Sequence, residues 1–364
     1  MTLYLNSCKQ LEVAKSGTGN CNGICVDSAS SAMILSNCAN AGNWSPQAKT
    51  TSGTTVTSTS TPPSGSSTTG TNCTPAPSAT MTNTVSHKCG FPDTTNTGTN
   101  GTLYAVGSGP TTNTGSGWSV SGQTINVSAK GVLKNVNTGG KIVSVNGANA
   151  TVDNVKIVAA ATGVAGVSLH GANNALIENT TIAGTNSGSG RMFAGIKDYE
   201  SGATYSANTT LKANNIYYTS TGIQVDHGMV EDNYIHNMGM ISGDHINGFT
   251  SNGGGDDALL TIQHNTIFNQ IAQTDAISLF EDFAVQQNRV INDNLVAGGG
   301  YTIYGGQNSG GPAIKNIHIT NNHFSKMYWS TYGYYGYIAA FTTSGTNNTW
   351  SGNVDDTTGV TISP

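Results

Sequence analysis

Residues 262–267 read IQHNTI, and this pattern decides the fold because it recurs along most of the chain. Each unit begins and ends with an apolar residue and alternates apolar with polar positions, the pattern of a strand. The units are VDNVKI (152–157), IENTTI (177–182), LKANNI (211–216), VEDNYI (230–235), IQHNTI (262–267), INDNLV (291–296) and ITNNHF (319–324). They recur on average about every 28 residues, which indicates a solenoid, since propeller blades need about 40. The sequence therefore predicts an all-β right-handed parallel β-helix.

The last five of these units carry an asparagine at the fourth place. The residues are Asn214, Asn233, Asn265, Asn294 and Asn322. Equivalent positions of stacked strands lie about 4.8 Å apart, so the side-chain amides can hydrogen-bond along the stack. We interpret these asparagines as an internal framework of the fold and not as a functional site.

The composition excludes two classes of function. Of the 364 residues only 9% are charged, and 14 Lys+Arg with a net charge of −5 provide no basic surface for a nucleic-acid backbone. No apolar run reaches the roughly 18–20 residues of a transmembrane helix. The 47 glycines, with abundant Thr, Asn and Ser, favour turns and strands over helices.

Three regions follow from the distribution of cysteine and of small polar residues. Residues 1–48 form a Cys-rich module, residues 49–87 a Thr/Ser/Pro/Gly linker, and residues 88–364 the β-helix domain. All six cysteines lie in the first quarter, at positions 8, 21, 25, 38, 73 and 89. An even number in a small polar segment predicts disulfides and an extracellular protein. Fifteen pairings stay open, and the opening MTLYLNS has no signal-peptide pattern.

Four stretches resemble secreted bacterial right-handed β-helix proteins of the pectate-lyase-like superfamily. They are CGFPDTTNTGTNGTL (89–103), GDHINGF (243–249), IQHNTIFN (262–269) and GGGYTIYGG (298–306). The resemblance covers residues 88–355 and implies an extracellular protein that acts on polysaccharides, without selecting a reaction. Asp256 and Asp257 in GGGDDA lack the companion motifs of a polygalacturonase. Separately, GICVDSASSAMILSNCANAGNW (23–44) is similar to a ricin-type lectin subdomain, which implies sugar binding and a Cys25–Cys38 pair.

A second strand in each coil predicts a polar groove. We place its inward centres at Ile196, Ile223, Ile246, Ile277 and Ile303. Since side chains alternate faces, their neighbours should form an exposed stripe of Lys197, Gln224, Asn247, Ser278 and Tyr304. Asp226, His245, Glu281 and Asp282 should lie beside it. Such a groove suits a polysaccharide or cell-surface glycan, and the aromatic run at 327–337, with Tyr328 and Trp329, could stack on sugar rings.

Hydrolysis is the reaction that these residues favour. It needs two carboxylates about 5–5.5 Å or 6.5–9.5 Å apart. Two coils separate Asp226 from Glu281, about 9.6 Å, with His245 between them. Asp244, which follows a glycine, is predicted to be a turn residue, and Asp275 to begin a strand. A hydrolase of this kind needs no cofactor.

Two alternatives stay open. A polysaccharide lyase would use Lys197 or Arg191 to neutralise a uronate, with His245 and Tyr304 as base and acid. A calcium ion held by Asp226, Glu281 or Asp282 could replace that cation. The shortage of Lys and Arg favours hydrolysis over elimination. The other alternative is a glycan-binding, adhesive or structural protein without catalysis.

Overall fold

The computed structural model describes residues 2–5, 10–14, 26–27, 90–107, 109–160, 163–199, 205–253, 259–343 and 347–364. The chain divides into two compact units, residues 1–67 and residues 68–364. The described part of the first unit is an antiparallel sheet of β1 (Thr2–Leu5), β2 (Gln10–Ala14) and β3 (Val26–Asp27). All six cysteines, most of the lectin-like stretch and both predicted domain boundaries lie outside the described residues.

The described part of the second unit is all-β and contains 26 strands joined in one hydrogen-bonded sheet. The first strands are β4 (Tyr104–Ala105), β5 (Gly115–Ser121), β6 (Thr124–Asn137), β7 (Ile142–Asn146), β8 (Thr151–Val158), β9 (Ala165–His170), β10 (Leu176–Glu178), β11 (Thr181–Ala183) and β12 (Met192–Asp198). The middle strands are β13 (Thr210–Lys212), β14 (Asn215–Tyr217), β15 (Thr219–Gln224), β16 (Gly228–Glu231), β17 (Tyr234–His236), β18 (Asn247–Ser251), β19 (Leu260–Gln263), β20 (Thr266–Asn269) and β21 (Asp275–Leu279). The last are β22 (Gln287–Asn292), β23 (Leu295–Gly298), β24 (Tyr301–Tyr304), β25 (Lys315–Thr320), β26 (His323–Phe324), β27 (Gly336–Ala339), β28 (Thr349–Ser351) and β29 (Val354–Asp355).

The strands build a parallel solenoid in which three strands make one coil. From β9 onward each strand pairs in parallel with the strand three places later, for example β15 with β18 and β18 with β21. Apolar residues at equivalent positions stack into a continuous core. One such stack is Ile177, Leu211, Val230, Ile262, Ile291 and Ile319, all fully buried. The predicted all-β parallel architecture is confirmed, and its right-handedness stays a prediction.

The predicted asparagine ladder is confirmed and is longer than expected. In each step the side-chain Nδ2 and the backbone N–H of one asparagine both donate to Oδ1 of the next, over 2.9–3.0 Å. Asn353 ends the ladder, and at its other end the Thr180 N–H donates to Asn214 Oδ1 at 3.1 Å. The residue before each ladder asparagine has a left-handed φ, as at His264 (49°) and Asp293 (53°). The ladder therefore supplies acceptors where the chain turns a corner.

One register prediction is wrong. Phe249, and not Ile246, pairs with Ile223 and Ile277. Ile246 is fully buried but precedes β18, and its N–H donates to Gln273 Oε1 at 2.6 Å. Asp244 holds the turn before β18, so the strand begins only at Asn247 and the inward position falls at Phe249, three residues after Ile246. The bulky phenylalanine fills the vacated core position.

The corrected register changes the predicted stripe at one position. Thr250 takes the place that we predicted for Asn247, so the stripe, here called the Gln224 row, consists of Lys197, Gln224, Thr250, Ser278 and Tyr304. Asn247 belongs to a parallel row, here called the Asn247 row, consisting of Thr221, Asn247, Asp275 and Tyr301. A search of the described residues for a helix long and apolar enough to cross a bilayer finds none.

Candidate functional site

Four residues of the two rows, Thr221, Gln224, Asn247 and Thr250, form the floor of a cleft of about 470 Å³ on the face made by β12, β15, β18 and β21. Threonine and amide side chains of both rows face it, and aromatic, acidic and histidine side chains complete the wall. The described lining residues are Phe193, Ser220, Thr221, Gln224, Gly243, Asp244, His245, Asn247, Thr250, Asn252, Thr274, Phe280 and Asp282. The cleft therefore offers mostly uncharged hydrogen-bonding groups, which suit a hydroxylated ligand.

A buried ion pair fixes one wall of the cleft. Arg191, almost fully buried, donates from Nε to Asp244 Oδ2 at 2.7 Å and from Nη2 to Oδ1 at 2.6 Å. Ser220 Oγ and the Ile241 N–H also donate to Asp244 Oδ2, at 2.6 and 2.9 Å. Burial alone would raise the pKa of Asp244, but these donors, Arg191 foremost, lower it below its ordinary value. Asp244 is therefore an ionised residue that holds the predicted turn, and its lone pairs are already used.

Beneath the floor lies a carboxyl group whose importance the sequence analysis missed. Asp275 begins β21 as predicted, but its side chain is fully buried. Asn247 Nδ2 donates to Asp275 Oδ2 at 2.8 Å and to Ser278 Oγ at 3.3 Å. Burial raises the pKa of Asp275 well above its ordinary value, even though Ser278 and Asn247 act to lower it. Burial therefore favours the neutral carboxyl of Asp275, which orients the Asn247 amide on the cleft floor.

The predicted catalytic residue Asp226 has a different environment from the one we expected. It is 9% exposed, and its Oδ1 accepts hydrogen bonds from Ser251 Oγ (2.6 Å), the Asn252 N–H (2.8 Å) and the Gly253 N–H (3.2 Å). Asp226 is not among the described lining residues of the cleft. The carboxylate therefore holds the chain where it leaves β18.

Glu281 and Lys197 also lie away from the described walls of the cleft. Both carboxylate oxygens of Glu281 are buried, and neither receives a hydrogen bond in the described structure. The Lys197 ammonium lies over the rings of Phe193 and Tyr199, 5.4 and 5.1 Å from their centroids. The structure therefore does not bring Asp226, Glu281 and Lys197 together at the cleft.

Four predicted site residues do meet at the cleft: Gln224, His245, Asn247 and Asp282. His245 and Asp282 are both exposed. His245 lies just before β18, and Asp282 lies just after β21. The remaining predicted residues lie beside or beyond the cleft. Ser278 is fully buried, and its Oγ donates to the Phe249 carbonyl at 3.3 Å.

Tyr304, Tyr328 and Trp329 lie in a cluster of aromatic rings. The ring of Tyr304 contacts that of Phe280 at 5.5 Å, and burial raises the pKa of Tyr304. Burial also raises the pKa of Tyr328, whose hydroxyl is covered, while Trp329 is half-buried. The predicted aromatic flank of the groove thus contains both covered and accessible rings.

Both positive charges and metal-binding groups are sparse at the site. Within the described walls of the cleft there is no Lys or Arg. Among the described residues, no three His, Cys, Asp or Glu side chains gather closely enough to hold a metal ion. Of the three acids considered for calcium, Asp226 accepts three hydrogen bonds, Glu281 is covered and Asp282 is exposed.

Comparison of the chain with protein-family models, with curated proteins and with solved structures finds no match in any of the three. The interpretation of the cleft therefore depends on its own side chains, and the resemblance to the pectate-lyase-like superfamily stays a hypothesis.

Proposed function

We propose that the protein is an extracellular glycoside hydrolase of the pectate-lyase-like superfamily that binds a neutral polysaccharide in the cleft and hydrolyses it there. In this proposal the solenoid is right-handed, and the Cys-rich module of residues 1–48 is stabilised by disulfides and binds sugar. The six cysteines and the Thr/Ser/Pro/Gly linker support export.

The composition of the cleft carries this proposal. Its walls combine hydroxyl and amide groups, such as Thr221, Gln224 and Asn247, with the rings of Phe193 and Phe280. Sugar hydroxyls need hydrogen-bond partners, and the apolar faces of sugar rings pack on aromatic side chains. A uronate chain would meet the Asp282 carboxylate without a Lys or Arg in the described walls, and Arg191 is already paired with Asp244. The charge balance therefore favours a neutral chain.

His245 and Asp282 are the groups that we assign to the reaction. Both are exposed at the cleft. In the proposed step the Asp282 carboxylate takes a proton from a water molecule while the oxygen of that water attacks the anomeric carbon of the sugar. The bond from that carbon to the leaving oxygen breaks, and His245, in the place of the second carboxyl group that most glycosidases use, gives its proton to the leaving oxygen. In this proposal Asp282 replaces Asp226 and Glu281 of the sequence hypothesis, and His245 stays a catalytic candidate.

Asp244 and Asp275 support this chemistry without reacting. Arg191 keeps Asp244 ionised and fixed. Asp275 holds the amide nitrogen of Asn247, which leaves Asn247 Oδ1 to accept from a sugar hydroxyl. Preorganised hydrogen bonds of this kind position the substrate before the bond breaks.

A second candidate function is glycan binding without hydrolysis. The observation that favours it is the burial of the Asp226 side chain and of the Glu281 carboxylate oxygens. It leaves the cleft with fewer free carboxyl groups than the sequence predicts, which fits glycan binding without hydrolysis. The lyase alternative lacks comparable support, because Lys197 packs on aromatic rings and Arg191 is paired with Asp244.

A panel of polysaccharides tests the proposal. The protein is incubated with soluble neutral glucans, mannans and xylans and with polygalacturonate and alginate, and both reducing ends and the ultraviolet absorbance of unsaturated products are measured. We expect reducing ends from a neutral polysaccharide without unsaturated products. Unsaturated products from a uronate polymer would replace the proposal with the lyase. Retardation in a polysaccharide-containing gel without any cleavage would replace it with the binding protein.

A further inference from the structure

A series of aromatic rings in mutual contact leads out of the cleft toward the C-terminal coils. It starts at Phe280, a cleft residue, whose centroid lies 5.5 Å from that of Tyr304. Tyr304 lies 5.4 Å from Tyr301, and Tyr301 lies 5.8 Å from Tyr335. We call this series the aromatic track; in full it consists of Phe280, Tyr304, Tyr301, Tyr335, Tyr334 and Trp329.

The far end of the track is open to solvent. Tyr335 is 65% exposed and Tyr334 52% exposed, and their rings lie 4.8 Å apart. Trp329 lies 6.1 Å from Tyr334 at right angles and is half-buried. Contiguous exposed aromatic surface is costly in water, and such patches commonly mark a binding surface. The phenol hydroxyls also provide hydrogen bonding at the edge of an apolar ring.

The direction of the track follows from the strand register. Asp275, Tyr301 and Gly336 are paired on successive strands β21, β24 and β27. Neighbouring strands lie about 4.8 Å apart, so the track extends about 10 Å along the solenoid axis beyond the coil that holds Phe280. Its six side chains are all Phe, Tyr or Trp, with no Lys, Arg, Asp or Glu among them, as expected for a surface that contacts an uncharged ligand.

We propose that the aromatic track is a set of additional binding sites for the same neutral glycan, and that the chain leaves the cleft over Phe280 and continues across Tyr304 and Tyr301 to Tyr335 and Tyr334. This inference rests on the proposed function of the cleft. It adds that the ligand is a long chain bound parallel to the solenoid axis and not a small sugar. Continuity with the cleft and the absence of charge select this occupant.

Oligosaccharide length is the variable that tests the track. The Asp282→Asn variant is used as the background so that no ligand is cleaved. Neutral gluco-, manno- and xylo-oligosaccharides from disaccharide to hexasaccharide are titrated by calorimetry. We expect affinity to rise with oligosaccharide length. Adding Tyr334→Ala/Tyr335→Ala should lower the affinity for the hexasaccharide about tenfold, because the loss of each ring removes apolar contact area. The affinity for the disaccharide should stay constant. Tyr104→Ala, which removes an exposed ring from β4 far along the solenoid, is the matched control.

Three results would overturn the track. They are an equal loss for disaccharide and hexasaccharide, no loss for either, or no binding of any oligosaccharide in the series. Sedimentation velocity provides a fourth such result. If the Asp282→Asn protein is a dimer and the Tyr334→Ala/Tyr335→Ala change makes it a monomer, the rings serve contact between two copies of the protein. If the wild type hydrolyses a polysaccharide but the length dependence is unchanged by the double variant, only the track fails. If length dependence is lost in the variant and no polysaccharide is cleaved, only hydrolysis fails.

Discussion

Asn265 shows at the residue scale how the side chains of the ladder replace backbone pairing at a corner. Its Oδ1 accepts the N–H and Nδ2 of Asn233, and its Nδ2 donates to the Val230 carbonyl at 2.9 Å. Asn265→Ala leaves these fully buried groups unpaired, and each costs about 1–3 kcal/mol. We expect urea unfolding to show a loss of about 3 kcal/mol or more. Asn308→Ala, at an exposed asparagine, should leave stability within about 0.5 kcal/mol; equal losses in the two variants would contradict the ladder.

The burial of Asp275 leads to a prediction about the pH dependence of the unfolding free energy. Because burial raises the pKa of Asp275 well above its ordinary value, the folded protein keeps a proton that the unfolded chain releases above about pH 4. The stability due to the neutral carboxyl is therefore complete below about pH 4 and is lost as pH rises toward the raised pKa. Asp275→Asn removes this dependence. The unfolding free energy of the wild type should fall relative to the variant by about 1.4 kcal/mol per pH unit in that window. Parallel pH curves for the two proteins would show that Asp275 is ionised when folded.

The residue types of the site were more predictable than their positions. His245, Gln224, Asn247 and Asp282 were all predicted and all line the cleft. The burial of Asp226 could not be predicted, because it depends on donors 25–27 residues later in the chain. The importance of Asp275 was likewise hidden, although an acid at the start of the buried strand DAISL is a signal that could have indicated it.

At the scale of elements, the Arg191–Asp244 pair connects the start of β12 with the turn before β18. Asp244→Asn leaves a buried guanidinium without its carboxylate, and breaking a buried pair costs about 3–5 kcal/mol. Because Asp244 is partly exposed, we expect about 2–3 kcal/mol, measured by urea unfolding, with faster hydrogen exchange in residues 241–247. Asp232→Asn breaks the exposed contacts of Asp232 with Lys212 and His264 and should cost less than about 1 kcal/mol. Similar costs for the two variants would show that the buried pair does not hold the turn.

The same turn explains why the element boundaries were only partly predictable. Alternation identified the ladder strands as far as residue 324, because six-residue units with a buried first residue have few competing interpretations. It missed β28 and β29, which flank Asn353 at the end of the ladder. In ISGDHINGF the isoleucine nearest the expected spacing was Ile246, but Asp244 closes a turn there and the strand begins at Asn247. A side chain that bonds to an arginine 53 residues away changes the register, and local periodicity carries no information about it.

At the scale of the whole molecule, the second unit presents the surface on which we propose that a long glycan binds. Stacked coils repeat the same outward positions along one face, so the two rows of the cleft and the aromatic track lie on one continuous surface of the second unit. The parallel solenoid itself was predictable from the repeat, because each coil can bury its apolar positions only against its neighbours. Which coils would carry the cleft was less predictable, since that depends on the turns between strands.

The central claim is that hydrolysis occurs at the cleft and depends on Asp282. The most direct measurement is kcat/KM for Asp282→Asn, compared with wild type and with Asp226→Asn, on the neutral polysaccharide that yields the most reducing ends. We predict a loss of at least about 100-fold for Asp282→Asn with unchanged thermal stability, because an exposed carboxylate is removed from the reaction and not from the fold. Asp226→Asn should lower stability through its three lost hydrogen bonds and, once folded, retain kcat/KM within about tenfold. Wild-type kcat/KM in Asp282→Asn, together with a folded and inactive Asp226→Asn, would contradict the account.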